Sequence, residues 1–160
     1  MVSSNLLCEE FLFENSRYWY HISTTLRRKR HYLTPWDNGR GFNRNPLEPD
    51  VKRICVAPSV PHCLTAVPYS PGETFTIYRT AHKVKATYAE GVYDAPITME
   101  GWIQASMMFV KIGTLSLPYV ARTYGINIID EAASGSDNRY SGKVLAWWNR
   151  CPLKRYIKRA

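Results

Sequence analysis

The side chains able to do chemistry are few and widely spaced. His21 and Ser23 stand two apart in the run Tyr18-Trp19-Tyr20-His21-Ile22-Ser23-Thr24. Residues two apart on an extended strand share a face, so an imidazole and a hydroxyl are presented together beside Trp19. His62 and Cys63 are adjacent. A thiol nucleophile needs its imidazole base within hydrogen-bond reach, and helical neighbours point about 100° apart, so His62 does not activate Cys63. The four cysteines, Cys8, Cys55, Cys63 and Cys151, contain no C-x-x-C pair, which argues against a structural zinc site, and no metal is expected. Asn38-Gly39-Arg40-Gly41 has two glycines but neither the preceding strand nor the Lys-Ser/Thr ending of a phosphate loop.

These groups depend on the elements that carry them. The run from Tyr18 to Thr24, rich in aromatic and β-branched residues, predicts a strand. Arg53-Ile54-Cys55-Val56-Ala57 predicts a short central strand stopped by Pro58, and Ser59 caps a following short helix with Pro61 in its first turn. Thr74-Phe75-Thr76-Ile77-Tyr78-Arg79-Thr80 alternates as a half-buried strand does. Further strands are predicted over 84–88, 103–112 and 126–129, with 114–117 extending the sheet and residues 90–96 as a turn-rich connection. Helices are predicted over 2–15 and 118–125, the latter closed by Gly125. Residues 68–72 read as a turn and 134–138 as a loop. Pro152 interrupts helix in the closing segment, where Trp147, Trp148 and Tyr156 alternate with basic residues.

The whole, 160 residues with 45% hydrophobic composition, is read as a single α+β domain over residues 1–160. No stretch approaches the roughly 18 apolar residues of a membrane span, and Glu9 and Glu10 stand where a signal peptide is basic. The expectation is a cytoplasmic protein with reduced thiols and no membrane association. The formal net charge is +8, which attracts polyanions. Much of it lies in a basic, Gly-Asn-Pro-rich loop over residues 27–50 (Arg27, Arg28, Lys29, Arg30, Arg40 and Arg44) and a basic tail over 150–160 that includes Lys154 and Arg155.

The strand Tyr20-His21-Ile22-Ser23-Thr24, followed by Leu33-Thr34-Pro35 and the unit Ile54-Cys55-Val56-Ala57-Pro58-Ser59, resembles the first half of an ADP-ribosyltransferase-like domain. Met99-Glu100-Gly101-Trp102-Ile103 is similar to the acidic motif near the end of that family's pattern. The resemblance covers roughly residues 18–119. It implies two small, mainly antiparallel sheets with short helices, and a cleft that grips the nicotinamide half of NAD. His21, Ser23 and Ser59 would be the cofactor-binding residues, the imidazole donating to a ribose hydroxyl while backbone groups take the carboxamide. Glu100 would be the catalytic acid, with Glu90 and Asp94 as rivals. The sequence departs from the family in having no aromatic residue beside Ser59.

The competing reading is a non-enzymatic binder or inhibitor. It would engage nucleic acid or an acidic protein surface through the basic clusters, with Trp147, Trp148 and Tyr156 stacking on bases. The tryptophans also sit next to Val144 and Leu145, which suits an anchor of the terminal segment to the core.

Overall fold

The computed structural model describes residues 12–36, 51–66, 72–92, 94–125 and 138–160. The sequence's cleanest alternation becomes β4 (Thr74–Thr80), which buries Phe75 and Ile77. It pairs antiparallel along β7 (Met107–Ser116), with a β-bulge between Ile77 and Tyr78. β1 (Tyr20–Ser23) adds to the free side of β4. On the far side of β7 two short strands lie end to end. β2 (Arg30–Leu33) pairs with residues 107–110 and β8 (Ile157–Arg159) with residues 113–115. A second antiparallel sheet has the order β3 (Ile54–Val56), β6 (Gly101–Ile103), β5 (Thr87–Tyr88).

Besides the helical residues 12–14, five helices are described: α1 (Val60–Ala66), α2 (Ala95–Thr98), α3 (Leu117–Thr123), α4 (Asn138–Arg150) and α5 (Leu153–Tyr156). Ser116 caps α3 by accepting from Tyr119 N–H at 3.4 Å, and Gly125 follows its end at φ 122°, a conformation glycine adopts without the Cβ penalty. The fold is therefore α+β, with two small antiparallel sheets and short helices. Among the described residues no helix is long and apolar enough to cross a membrane.

One core lies between the five-stranded sheet and the helices, where Ile22, Phe75, Ile77 and Leu115 meet Leu64, Val120, Val144 and Trp148. A second contains Trp19, Leu33, Tyr78 and Phe109 together with Ile54, Val56 and Ile103, and so joins the two sheets. Each such buried side chain contributes about 1.5–3 kcal/mol.

Several expectations are corrected. The stretch 27–50 begins with strand β2, in which His31 and Leu33 turn inward while Arg30 and Tyr32 face solvent. Its alternation is hidden in the sequence because Arg30 ends a basic run and the other outward residue, Tyr32, is a large aromatic. The tail is not free, since β8 is hydrogen-bonded to β7. The predicted strand 103–112 is broken at 104–106 and serves two sheets, and 84–88 shrinks to β5, with Val84 bridging Arg17. Residues 95 and 96 of the predicted connection open α2, and Asn138 starts α4. The predicted strand 126–129, the turn residues 68–71, the loop residues 134–137, most of the helix 2–15, Arg40 and Arg44 lie outside the described residues.

Candidate functional site

The two sheets touch at β1 and β3 and then part. Tyr20 N–H donates to the Ala57 carbonyl at 2.9 Å, and Ala57 N–H returns the bond to Tyr20 at 2.9 Å. This is an isolated bridge. In a continuing antiparallel ladder the next hydrogen-bonded pair lies two residues on, here Ile22 opposite Cys55. Instead His21 Nδ1 meets the Cys55 carbonyl at 2.9 Å. A carbonyl only accepts, so Nδ1 carries the proton and Nε2 presents a lone pair. By strand alternation the N–H and C=O of Ile22 point the same way as those of Tyr20, into the gap.

A cleft of about 180 Å³ opens there, lined by His21, Ile22, Cys55, Ala57, Cys63 and Glu100 among others. β3 makes this meeting possible, since it bridges β1 on one side and pairs with β6 on the other. Glu100 directly precedes β6. The residue before it, Met99, sits in the left-handed region at φ 51°, a conformation that costs a non-glycine residue about 1–3 kcal/mol and turns the chain from α2 into β6.

Glu100 Oε1 accepts from Trp102 Nε1 at 2.8 Å. The Trp102 ring lies under the Arg53 guanidinium, 4.3 Å from its centroid, so an aromatic-cation stack fixes the donor that holds the carboxylate. The Cys55 thiol is pushed up to about 12, first by burial and then by the charge of Glu100 and a hydrogen bond with it, against the pull of Arg53. Burial first, and then the charge of Glu100, also raises Asp94. His21 is lowered by burial first; its bond to Cys55 opposes this and His31 adds to it. Its imidazole is therefore neutral near pH 7.

A larger cleft of about 430 Å³ shares His21 and Ile22 with it and is lined further by Ser23, Thr24, Thr25 and Trp36 among others. Ser23 Oγ accepts from Leu26 N–H at 3.0 Å and Thr25 N–H at 3.2 Å, shaping the end of β1. Trp36 was not singled out from the sequence. It is 38% exposed, sits edge-on to His21 at 5.9 Å, and exchanges backbone hydrogen bonds with Arg53. Its sequence signal was an isolated large aromatic in a Gly-, Asn- and Pro-rich stretch.

The structure thus brings His21 and Glu100 to one cleft and Ser23 to its neighbour. Ser59 lines neither. It stands at the start of α1, with its hydroxyl 2.6 Å from His62 Nδ1 and its carbonyl accepting from Cys63 N–H. Glu90 and Asp94 line neither cleft. Cys63 is buried and donates to the Tyr20 carbonyl at 3.2 Å, and burial raises its thiol. With His62 bonded to Ser59, the two make no nucleophilic pair.

Arg27, Arg28, Lys29 and Arg30 are all exposed, and of their side chains that of Arg27 is tied back onto the chain. Arg27 folds back onto the carbonyls of Thr24 and Leu26 and onto Thr76 Oγ1. The carbonyls of Arg28 and Lys29 accept from Tyr78 Oη at 2.7 Å and from Lys111 N–H at 2.8 Å. Arg30 lies in β2, and Lys154 and Arg155 are exposed on α5. Of the aromatic residues assigned to base stacking, Trp148 is fully buried. Trp147 packs on Tyr124 at 5.1 Å and Tyr156 on Tyr119 at 5.5 Å, so they anchor the terminal segment. In comparison with known proteins, no family model, curated protein or solved structure matches this chain.

Proposed function

We propose that the chain is an ADP-ribosyltransferase-like protein that binds NAD where its two sheets part and transfers ADP-ribose to a macromolecular acceptor. The observation that carries this reading is the shared cleft, in which His21 and Glu100 face a strand edge whose ladder has been interrupted. The residues present suit the ligand. A cleft of about 180 Å³ has room for a single small ring, and the Ile22 N–H and C=O offer the donor and acceptor that a carboxamide complements. The larger cleft gives room for the rest of the dinucleotide, with Ser23 at the end of β1 and Trp36 as an aromatic wall. Ser59 acts at one remove in this scheme, by setting the start of α1.

NAD, when bound, supplies the bond between ribose and nicotinamide that breaks in transfer. His21 accepts a hydrogen bond at Nε2, reversing the donor role expected from sequence, because its Nδ1 proton is already spent on Cys55. Glu100, held by Trp102, places negative charge where positive charge develops and stands ready to take an acceptor's proton.

Titration calorimetry with NAD, combined with an assay for released nicotinamide, tests the reading. Glu100→Gln should keep NAD affinity within a few-fold while slowing release by about 100-fold or more. His21→Ala should weaken binding itself. No heat at millimolar NAD would sink the proposal.

A further inference from the structure

The chain's two basic clusters, far apart in sequence, converge on one edge of the five-stranded sheet. Arg30 is paired with Val110 and Arg159 with Gly113 on the same side of β7. At roughly 3.3 Å per residue they stand about 10 Å apart. Directly opposed residues share a face, so the row Arg30, Val110, Arg79, Tyr20 runs across β2, β7, β4 and β1 on one face. The row lies opposite His21 and Phe109, on the face that farther along carries Ile22 and Ile77, and none of its own residues lines either cleft.

Tyr32 shares the outward face of β2 with Arg30, is 60% exposed, and lies directly opposite Met108. Tyr18 holds the cations in place, with the Arg79 guanidinium 4.1 Å and the Lys83 ammonium 5.8 Å from its ring centroid. Among the described residues no carboxylate pairs with Arg30, Arg79, Lys83 or Arg159. The patch thus combines unneutralised cations, an exposed ring and the half-buried, apolar Met108 and Val110.

We infer that this face, formed by Tyr32, Arg30, Arg79, Lys83 and Arg159, is a docking platform for single-stranded nucleic acid. An acidic protein surface would be served by the cations alone. An unpaired strand offers phosphates to the cations and a base to the exposed Tyr32 ring, and a duplex keeps its bases out of reach of a flat sheet. The inference is independent of the NAD reading, because no residue of the patch lines either cleft.

The test is fluorescence anisotropy with a labelled oligothymidylate of about 12 nucleotides. Four phosphate contacts predict a log-log salt slope near −3, or about 50-fold weaker binding at about 200 mM than at about 50 mM salt. Tyr32→Ala should weaken binding about 5-fold or more, and Arg30→Glu with Arg159→Glu about 10-fold or more. Lys143→Glu, a single charge reversal at an exposed site on α4, should change it less than about 2-fold. Circular dichroism checks folding, and Lys83→Glu, outside the strands, replaces any edge variant that fails to fold. Absence of binding at low salt, an equal loss in Lys143→Glu, or equal binding of duplex or oligoglutamate would each overturn the inference.

Discussion

Acidification should loosen the joint between the two sheets, and His21 determines where this begins. The imidazole's ordinary value is 6.5, and burial lowers it in the folded protein. Above pH 6.5 neither the folded nor the unfolded chain is protonated at this position. Below it the unfolded chain takes up a proton that the folded chain refuses, so stability is lost as pH falls towards the folded value. At pH 5.5, one pH unit below the ordinary value, a single such group can account for at most about 1.4 kcal/mol. His62 is also lowered, by burial first and then by Arg17, and acts in the same sense with a smaller weight because it is more exposed. Asp94 is raised and acts oppositely, at lower pH, because its folded form takes up a proton first. Asparagine at position 21 keeps an N–H donor for the Cys55 carbonyl and removes the titration. In urea unfolding followed by tryptophan fluorescence, His21→Asn should therefore lie within about 1 kcal/mol of wild type at pH 7.5. Its deficit should shrink, or reverse, as the pH falls to 5.5, by at most about 1.4 kcal/mol. His21→Ala, which leaves the Cys55 carbonyl without its partner, should lose about 1–3 kcal/mol at pH 7.5. Equal pH-dependent losses in wild type and His21→Asn would refute the reasoning, because His21 would then titrate alike in both states.

Trp148 is fully buried and its indole N–H has no hydrogen-bond partner among the described residues, so Trp148→Phe removes a desolvated donor along with some packing. It should cost under about 1 kcal/mol, against about 3–5 kcal/mol for Trp148→Ala, both measured by urea unfolding. A Cβ at Gly113 would lie 2.5 Å from Ile157 Cγ2 and 2.7 Å from the Lys158 carbonyl, so Gly113→Ala should push β8 off β7. The expected cost is about 1–3 kcal/mol, with faster trypsin cleavage at Lys154 and Arg155 as the local readout.

Much of the local structure was legible in the residues themselves. The alternation of β4 showed the face that carries Phe75 and Ile77, though not that Thr76, Tyr78 and Thr80 bury the other face as well, and Gly125 stops α3. The spacing of His21 and Ser23 placed them on one side of β1. Each of these features is decided by neighbours within a few positions, through strand alternation or a local hydrogen bond. The outward Arg30 and Tyr32 of β2 read as loop because an edge strand is half polar and its partner, β7, lies far along the chain. The same holds for β8, whose basic residues gave no sign of pairing.

The site divides along the same line. Sequence alone supplied the reactive groups His21 and Glu100, the likeness that linked them, and an excess of positive charge. It could not show that the interrupted bridge between Tyr20 and Ala57 opens a cleft, that His21 spends its Nδ1 proton on Cys55, or that Trp36 borders the neighbouring cleft. Nor could it show that Arg30 and Arg159 meet on one sheet edge. Those outcomes depend on register between strands distant in sequence, and register is set by which buried faces fit together, so only the tertiary structure decided them.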